Sequence, residues 1–351
     1  MLQDSLGVVA RHSLVVIAVI LVGAALRSLG GVLTPLLLAM FLAVMVDGLT
    51  RELTHRVRGL STGLATILAV SLATAIFISV VLVLANRASG FFATVSAAQP
   101  RIIRLFTSTA RALQLSQPDA AVRMALSLDP TTYLGGVALA LQGFLSEALF
   151  VLVYLGFLIA SKRAFERKAV KLFAGRDARQ NALRVFGKVR DAVERYLWIQ
   201  TITGLLISVV SWAVMAAVRL DNAMFWAFLV FVVNYVPFVG AIVAIVLPAL
   251  FALVQFDSYW PAAVVLGGLW LVTFVVGNII LPRMQGDSLN IDPLAVLLSL
   301  AFWGALWGLP GMFLSTPLTV LAMLILAQFQ GSRWLAILIS ADGEPDRAVK
   351  R

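Results

Sequence analysis

Apolar residues run through this chain in long uncharged blocks, separated by short clusters of arginine and lysine. A block of roughly 20 apolar residues is long enough to cross a bilayer as a helix. The blocks predict membrane helices over about His12–Leu26, Val32–Leu49, Ser61–Ala85, Ala140–Ala160 and Tyr196–Val218. A turn signal at Leu29-Gly30-Gly31 separates the first two. Three further uncharged runs follow: Asn222–Phe256 (35 residues), Ser258–Pro282 (25) and Pro293–Ser332 (40). At 1.5 Å per residue the first would be about 52 Å long as one helix and the third about 60 Å. Neither fits a single straight crossing.

Both over-long runs contain backbone breakers. Asn234-Tyr235-Val236-Pro237-Phe238-Val239-Gly240 continues to Pro248, and Gly304, Gly308, Gly311 and Pro317 punctuate the last run. At membrane depth an open backbone polar group is tolerated only where protein or a water-filled cavity covers it. Transporters place such breaks at their binding sites. The alternative is ordinary kinks and tight packing, since glycine and proline are frequent in membrane helices. Two layouts fit. All three runs can cross, giving eight spans. Alternatively, the first and third are re-entrant hairpins from opposite sides, with tips at Pro237–Gly240 and Leu309–Gly311, giving six. The fold class is therefore an all-α polytopic membrane protein of six to eight helices with two broken or re-entrant segments in its C-terminal half.

Between the apolar blocks lie two amphipathic regions. In residues 86–130, Ile102, Leu105, Phe106, Thr109 and Leu113 fall at helical spacing, opposite Arg101, Arg104 and Arg111. Lys162–Arg195 carries eleven Lys or Arg against four Asp or Glu, with Ala182, Val185, Phe186, Val189 and Val193 at helical spacing. Counting basic residues near the membrane ends puts Lys162–Arg195 in the cytoplasm. Both termini are then cytoplasmic, and residues 86–130 and Asp221 lie outside. The expected organisation is N-terminal helices over 1–85, an extracytoplasmic amphipathic region over 86–130, a span over 131–161, a basic cytoplasmic segment over 162–195, a core over 196–332 and a tail over 333–351.

Composition agrees. The chain has 351 residues, 61% hydrophobic and 13% charged, against about 25% charged in soluble domains. The net charge of +10 follows the flanks of apolar blocks, which favours membrane orientation over nucleic-acid binding. Without cysteine there is no thiol chemistry, and His12 and His55 are too few for a histidine-built metal site. No serine-hydrolase, zinc-protease or P-loop motif occurs. No cofactor and no enzymatic activity are expected.

Asn234 is placed to bond carbonyls freed by Pro237, or a substrate or ion. Asn278, in Gly277-Asn278-Ile279-Ile280-Leu281-Pro282, is the other deep amide. Glu147 is the acidic residue furthest inside an expected span, and is a candidate for proton or ion coupling. Trp260, Trp270, Trp303 and Trp307 fit interfacial anchors or packing.

The stretches NYVPFVGAIVAIVLPAL and GNIILPRMQGDSLNIDPLAVLLSLAFWGALWGLPGMFLSTPLTV resemble the AI-2E family of membrane transporters. The resemblance rests on Asn234, Pro237 and Gly240, on Pro282, Gly286 and Pro293, and on Gly304, Gly308, Gly311 and Pro317. Pro310 departs from the small or apolar residue many members carry there. The resemblance implies a polytopic bacterial inner-membrane protein, a homo-oligomer with a pentamer among the forms expected, whose partners are lipids and a small solute or ion. It implies export of a small polar or signalling solute of the autoinducer-2 kind by alternating access, with sodium–proton antiport and a passive channel or scaffold as alternatives.

Overall fold

In the computed structural model, the described residues are 20–57, 59–97, 146–162, 175–285 and 290–345, with isolated positions at 13, 14, 17, 18, 164, 167 and 168. The expected amphipathic helix around 101–113 and the predicted site residue Gly286 lie outside them.

The regular structure among the described residues is helical, joined by short turns, with one isolated bridge between Ile291 and Ser340. The helices are α1 (Gly30–Arg56), α2 (Thr62–Ala97), an unlabelled helix over 146–162, α3 (Arg176–Ala217), α4 (Ala223–Val233), α5 (Val239–Gln255), α6 (Trp260–Val275), α7 (Leu281–Gln285), α8 (Pro293–Leu326) and α9 (Arg333–Ile339). A π-helical turn, Val276–Ile280, joins α6 to α7. Five stretches among the described residues are long and apolar enough to cross a membrane: Gly30–Arg56, Thr62–Ser79, Ala182–Ala217, Trp260–Met284 and Pro293–Leu326.

Several boundaries differ from those expected. The helix predicted to end at Ala85 continues to Ala97. From Arg176 onward the basic segment is continuous with the fifth span in one helix, α3, because nothing between Arg195 and Tyr196 breaks it. The turn signal at Leu29 is an interruption of one residue. Helical bonds close on either side of it, from Leu29 N to Ala25 O and from Leu33 N to Leu29 O, both 2.9 Å.

The chain divides into two compact units. One comprises residues 1–45, 150–195 and 287–351, and the other 46–149 and 196–286. The second unit is organised on α3, whose buried positions Gln200, Thr203, Gly204, Ile207, Ser208, Ser211 and Met215 repeat at three and four. Met215 and Leu220 share a core with Phe225, Trp226, Phe251, Val265 and Leu269. Ile207 shares another with Val230, Ala244 and Val276. In the first unit, the C-terminal half of α8 is almost continuously buried from Leu314 to Val320. Its Val320, Met323 and Leu324 form a core with Ala192, Ala327 and Ala336.

Candidate functional site: a helical hairpin on a polar stripe

The uncharged run 222–256 folds as a hairpin of two antiparallel helices, α4 and α5. Contacts at four levels establish this. At the base, Gln255 Oε1 accepts from Asp221 N at 2.8 Å and Gln255 Nε2 donates to Arg219 O at 3.1 Å. One level further in, Trp226 packs on Phe251 with ring centroids 5.3 Å apart. Val230 and Ala244 then share a buried cluster. At the tip, Gly240 lies so close to Val233 that an added Cβ would overlap its carbonyl, 2.8 Å from the carbon.

The tip is built from the breakers read in the sequence. Pro237 has no N–H, so the helical ladder lapses into i→i−3 bonds from Tyr235 N to Val232 O and from Val236 N to Val233 O. Phe238 turns the chain with φ 58° and ψ −58°, and Val239 N donates to Pro237 O at 2.6 Å. That is a γ-turn of the rare positive-φ kind, strained for an L residue. Gly240 N then donates to Val236 O and α5 begins.

The tip rests on α3. Gln200 Nε2 donates to the Asn234 carbonyl at 2.7 Å, satisfying an acceptor left over where the ladder stops. Thr201 Oγ1 and the Tyr235 hydroxyl are 2.7 Å apart. Thr201 also donates to Leu197 O at 2.7 Å, so Tyr235 is the donor of the pair. The Asn234 amide lies beside Gly204, where a Cβ would meet Nδ2 at 2.9 Å, and it reaches Gln200 O at 3.5 Å. Further along, Ser208 Oγ donates to Ala227 O at 2.6 Å. A stripe of polar and small residues on α3 thus faces the hairpin.

Among the sequence-predicted residues, Asn234, Pro237 and Gly240 come together at this tip. Pro248 is buried within α5. Asn278 is exposed and spends its amide on Phe274 O at 3.0 Å, a carbonyl beside the π-turn. Pro282 follows in α7, and Pro293 opens α8 behind Asp292, whose side chain accepts from Leu294 N at 2.8 Å. Glu147 is half-buried near the start of the described part of its helix.

Gly304, Gly308, Gly311 and Pro317 lie in the other unit, where α8 also folds back. Gly308 takes φ 65° and ψ −143°, outside any helix. On a straight helix, residues eight apart lie about 12 Å apart. Yet a Cβ on Gly311 would come 2.7 Å from the Trp303 carbonyl carbon, and one on Gly304 would come 2.9 Å from the Met312 side chain. The two ends also return to one place: Ile291 packs on the core holding Met323, Leu324 and Ala327. At the fold, Trp307 Nε1 donates to Leu26 O at 2.9 Å, within its own unit. Pro317 is buried in the returning arm.

Sequence reasoning missed Gln200, Thr201 and Ser208, and gave no role to Tyr235. For the three on α3 the signal is a set of polar side chains two helical turns apart inside an uncharged span.

The model of AI-2E family transporters matches residues 14–331. The chain belongs to that family. It is 39% identical over 150 residues to the AI-2 transport protein TqsA of Escherichia coli K12, covering 43% of each protein. It is 37% identical over 148 residues to YhhT of the same strain, covering 42% of each. A Haemophilus influenzae relative is 32% identical over 199 residues, or 55% of this chain and 57% of that protein. The alignments span little more than half of each relative or less.

Proposed function

We propose that this protein is a secondary transporter that exports a small, uncharged polar solute of the autoinducer-2 kind. The α4–α5 hairpin is proposed as the element that opens and closes the path. The observation that carries this reading is the polar contact of Gln200, Thr201, Gly204, Asn234 and Tyr235 at the tip of a helical hairpin within an otherwise apolar segment. A polar cluster there can exchange its internal bonds for bonds to a solute hydroxyl or carbonyl. It contains no ionisable carboxylate or cation, which suits a neutral solute. The name of the relative TqsA supplies the candidate class.

The base of the hairpin, Arg219–Asn222 and Gln255, leaves both its ends on one side. This supports a re-entrant hairpin for run 222–256 rather than a crossing. The fold-back at Gly308 supports the same for run 293–332. By the charge bias, the first base is extracytoplasmic and the second cytoplasmic. The reading includes the bacterial inner membrane, cytoplasmic termini and a homo-oligomer, with a pentamer the form the family resemblance suggests.

The test is flux of autoinducer-2 into and out of proteoliposomes under imposed ion gradients. Saturable, gradient-dependent flux is expected, reduced about fivefold in Asn234→Ala and in Thr201→Val, since one hydrogen bond is worth about 1 kcal/mol. Near-normal flux in well-folded variants overturns the site. Unsaturable flux in the parent protein overturns the transporter.

A further inference from the structure

The polar stripe of α3 continues beyond the hairpin contacts to Ser211. This serine is completely buried, and its hydroxyl has no hydrogen-bond partner among the described residues. Ser208, one turn away, has taken a carbonyl of the hairpin. Thr273 on α6 is only half-buried as a residue, but its Oγ1 is likewise shielded from solvent and has no partner among the described residues.

By helix register the two residues fall at about one level where α3 packs on α6. The helices run antiparallel there: Ile207 and Val276 share one buried cluster, and Met215 and Leu269 share the next. Ser211, buried, sits midway between Ile207 and Met215, and Thr273, half-buried, is spaced at four and three from the buried Leu269 and Val276. Gly268 allows the close approach, since a Cβ there would come 2.7 Å from Val214. A buried hydroxyl without a partner is unfavourable, and two on facing helices in an apolar layer are unusual. A serine in a helix commonly bonds its own carbonyl four residues back, as Thr201 and Thr203 do here. Ser211 does not, and so keeps both donor and acceptor open.

We propose that Ser211 and Thr273 form a polar station between α3 and α6 that receives a hydroxyl group of an uncharged solute in transit. The proposal rests on the transport reading above and adds a place and a chemistry to it. The buried neighbours are Ile207, Met215, Leu269 and Val276, none of which carries charge. An ion would find no counter-charge in that layer, whereas an alcohol finds one donor–acceptor group on each wall. From Gln200 to Ser211 is about 16 Å along α3. The station is therefore a second stop, distinct from the hairpin tip.

The absence of cysteine from the chain makes the test direct. Ser211→Cys and Thr273→Cys are reconstituted in lipid vesicles and treated with 2-hydroxyethyl methanethiosulfonate, an uncharged reagent bearing a hydroxyl, and with its trimethylammonium analogue. Val265→Cys, as fully buried as Ser211, and Val272→Cys, half-buried like Thr273, are the respective apolar controls on α6. Modification of either variant by the hydroxyl reagent is expected to be on the order of tenfold faster than its control, with little by the cationic one, since labelling follows access to the thiol. Rates equal to the controls in both variants overturn the station, as does equal labelling by the two reagents. A site just large enough for a bound water would give the first of these results. Labelling does not require flux, so failure here and failure of the transport reading are separate outcomes.

Discussion

Single residues at the hairpin tip carry opposite kinds of constraint. Gly240 is there because the Val233 carbonyl leaves no room for a Cβ. Gly240→Ala should destabilise the protein by about 2–4 kcal/mol, in the range of severe single substitutions, read by thermal unfolding in detergent. Phe238 is the reverse case. Its side chain is half exposed, and its backbone has φ 58°. Phe238→Gly removes the strain of a positive-φ turn and should stabilise the protein by about 1 kcal/mol after the added flexibility of glycine is counted. No gain in the same unfolding measurement would show that the phenyl ring contributes packing in lipid. Gln200→Leu keeps the shape but leaves the Asn234 carbonyl without its donor, a loss of about 1–3 kcal/mol.

At the scale of elements, the two over-long apolar runs reach the same solution by different means. The first uses a proline and a γ-turn in the five residues between α4 and α5, and a glycine in the first turn of α5. The second uses one glycine, Gly308, with φ and ψ outside any helix. The second fold is held by the Trp307 indole, bonded to the Leu26 carbonyl beside the interruption at Leu29. Trp307→Phe keeps an aromatic ring against Gly30 and deletes the N–H. It should cost about 1 kcal/mol, with the loss largely confined to the fold, as read by hydrogen exchange around residues 303–312. The breaks were legible in the sequence because proline and glycine interrupt helices for local reasons. Their sharpness was not, because a kink and a reversal use the same residues.

At the scale of the whole molecule, the arrangement of each hairpin decides which side of the membrane its flanks occupy. Asp221 and Asp257 flank the first hairpin, whose base Gln255 ties together. Single cysteines at these two positions should label from the same side with a membrane-impermeant maleimide. Labelling from opposite sides would restore a crossing helix and an eight-span layout. The charge bias on which the proposed orientation rests is readable without a structure, since it depends on where arginine and lysine fall along the sequence. The course of the chain inside an uncharged run carries no such marker.

The sequence by itself determined the solvent, the helical class, the positions of the breaks and, through local motifs, the family. These follow from composition and from spacing along the chain, which each segment expresses without its neighbours. Tertiary structure alone decided that the first run turns back on α3, that Gln200 serves the Asn234 carbonyl, that Asn278 bonds its own helix and that Ser211 is left open. Each depends on which face of one helix meets which face of another. A polar residue in an apolar span reads the same whether its partner is its own backbone, a distant carbonyl or none, and only packing distinguishes them.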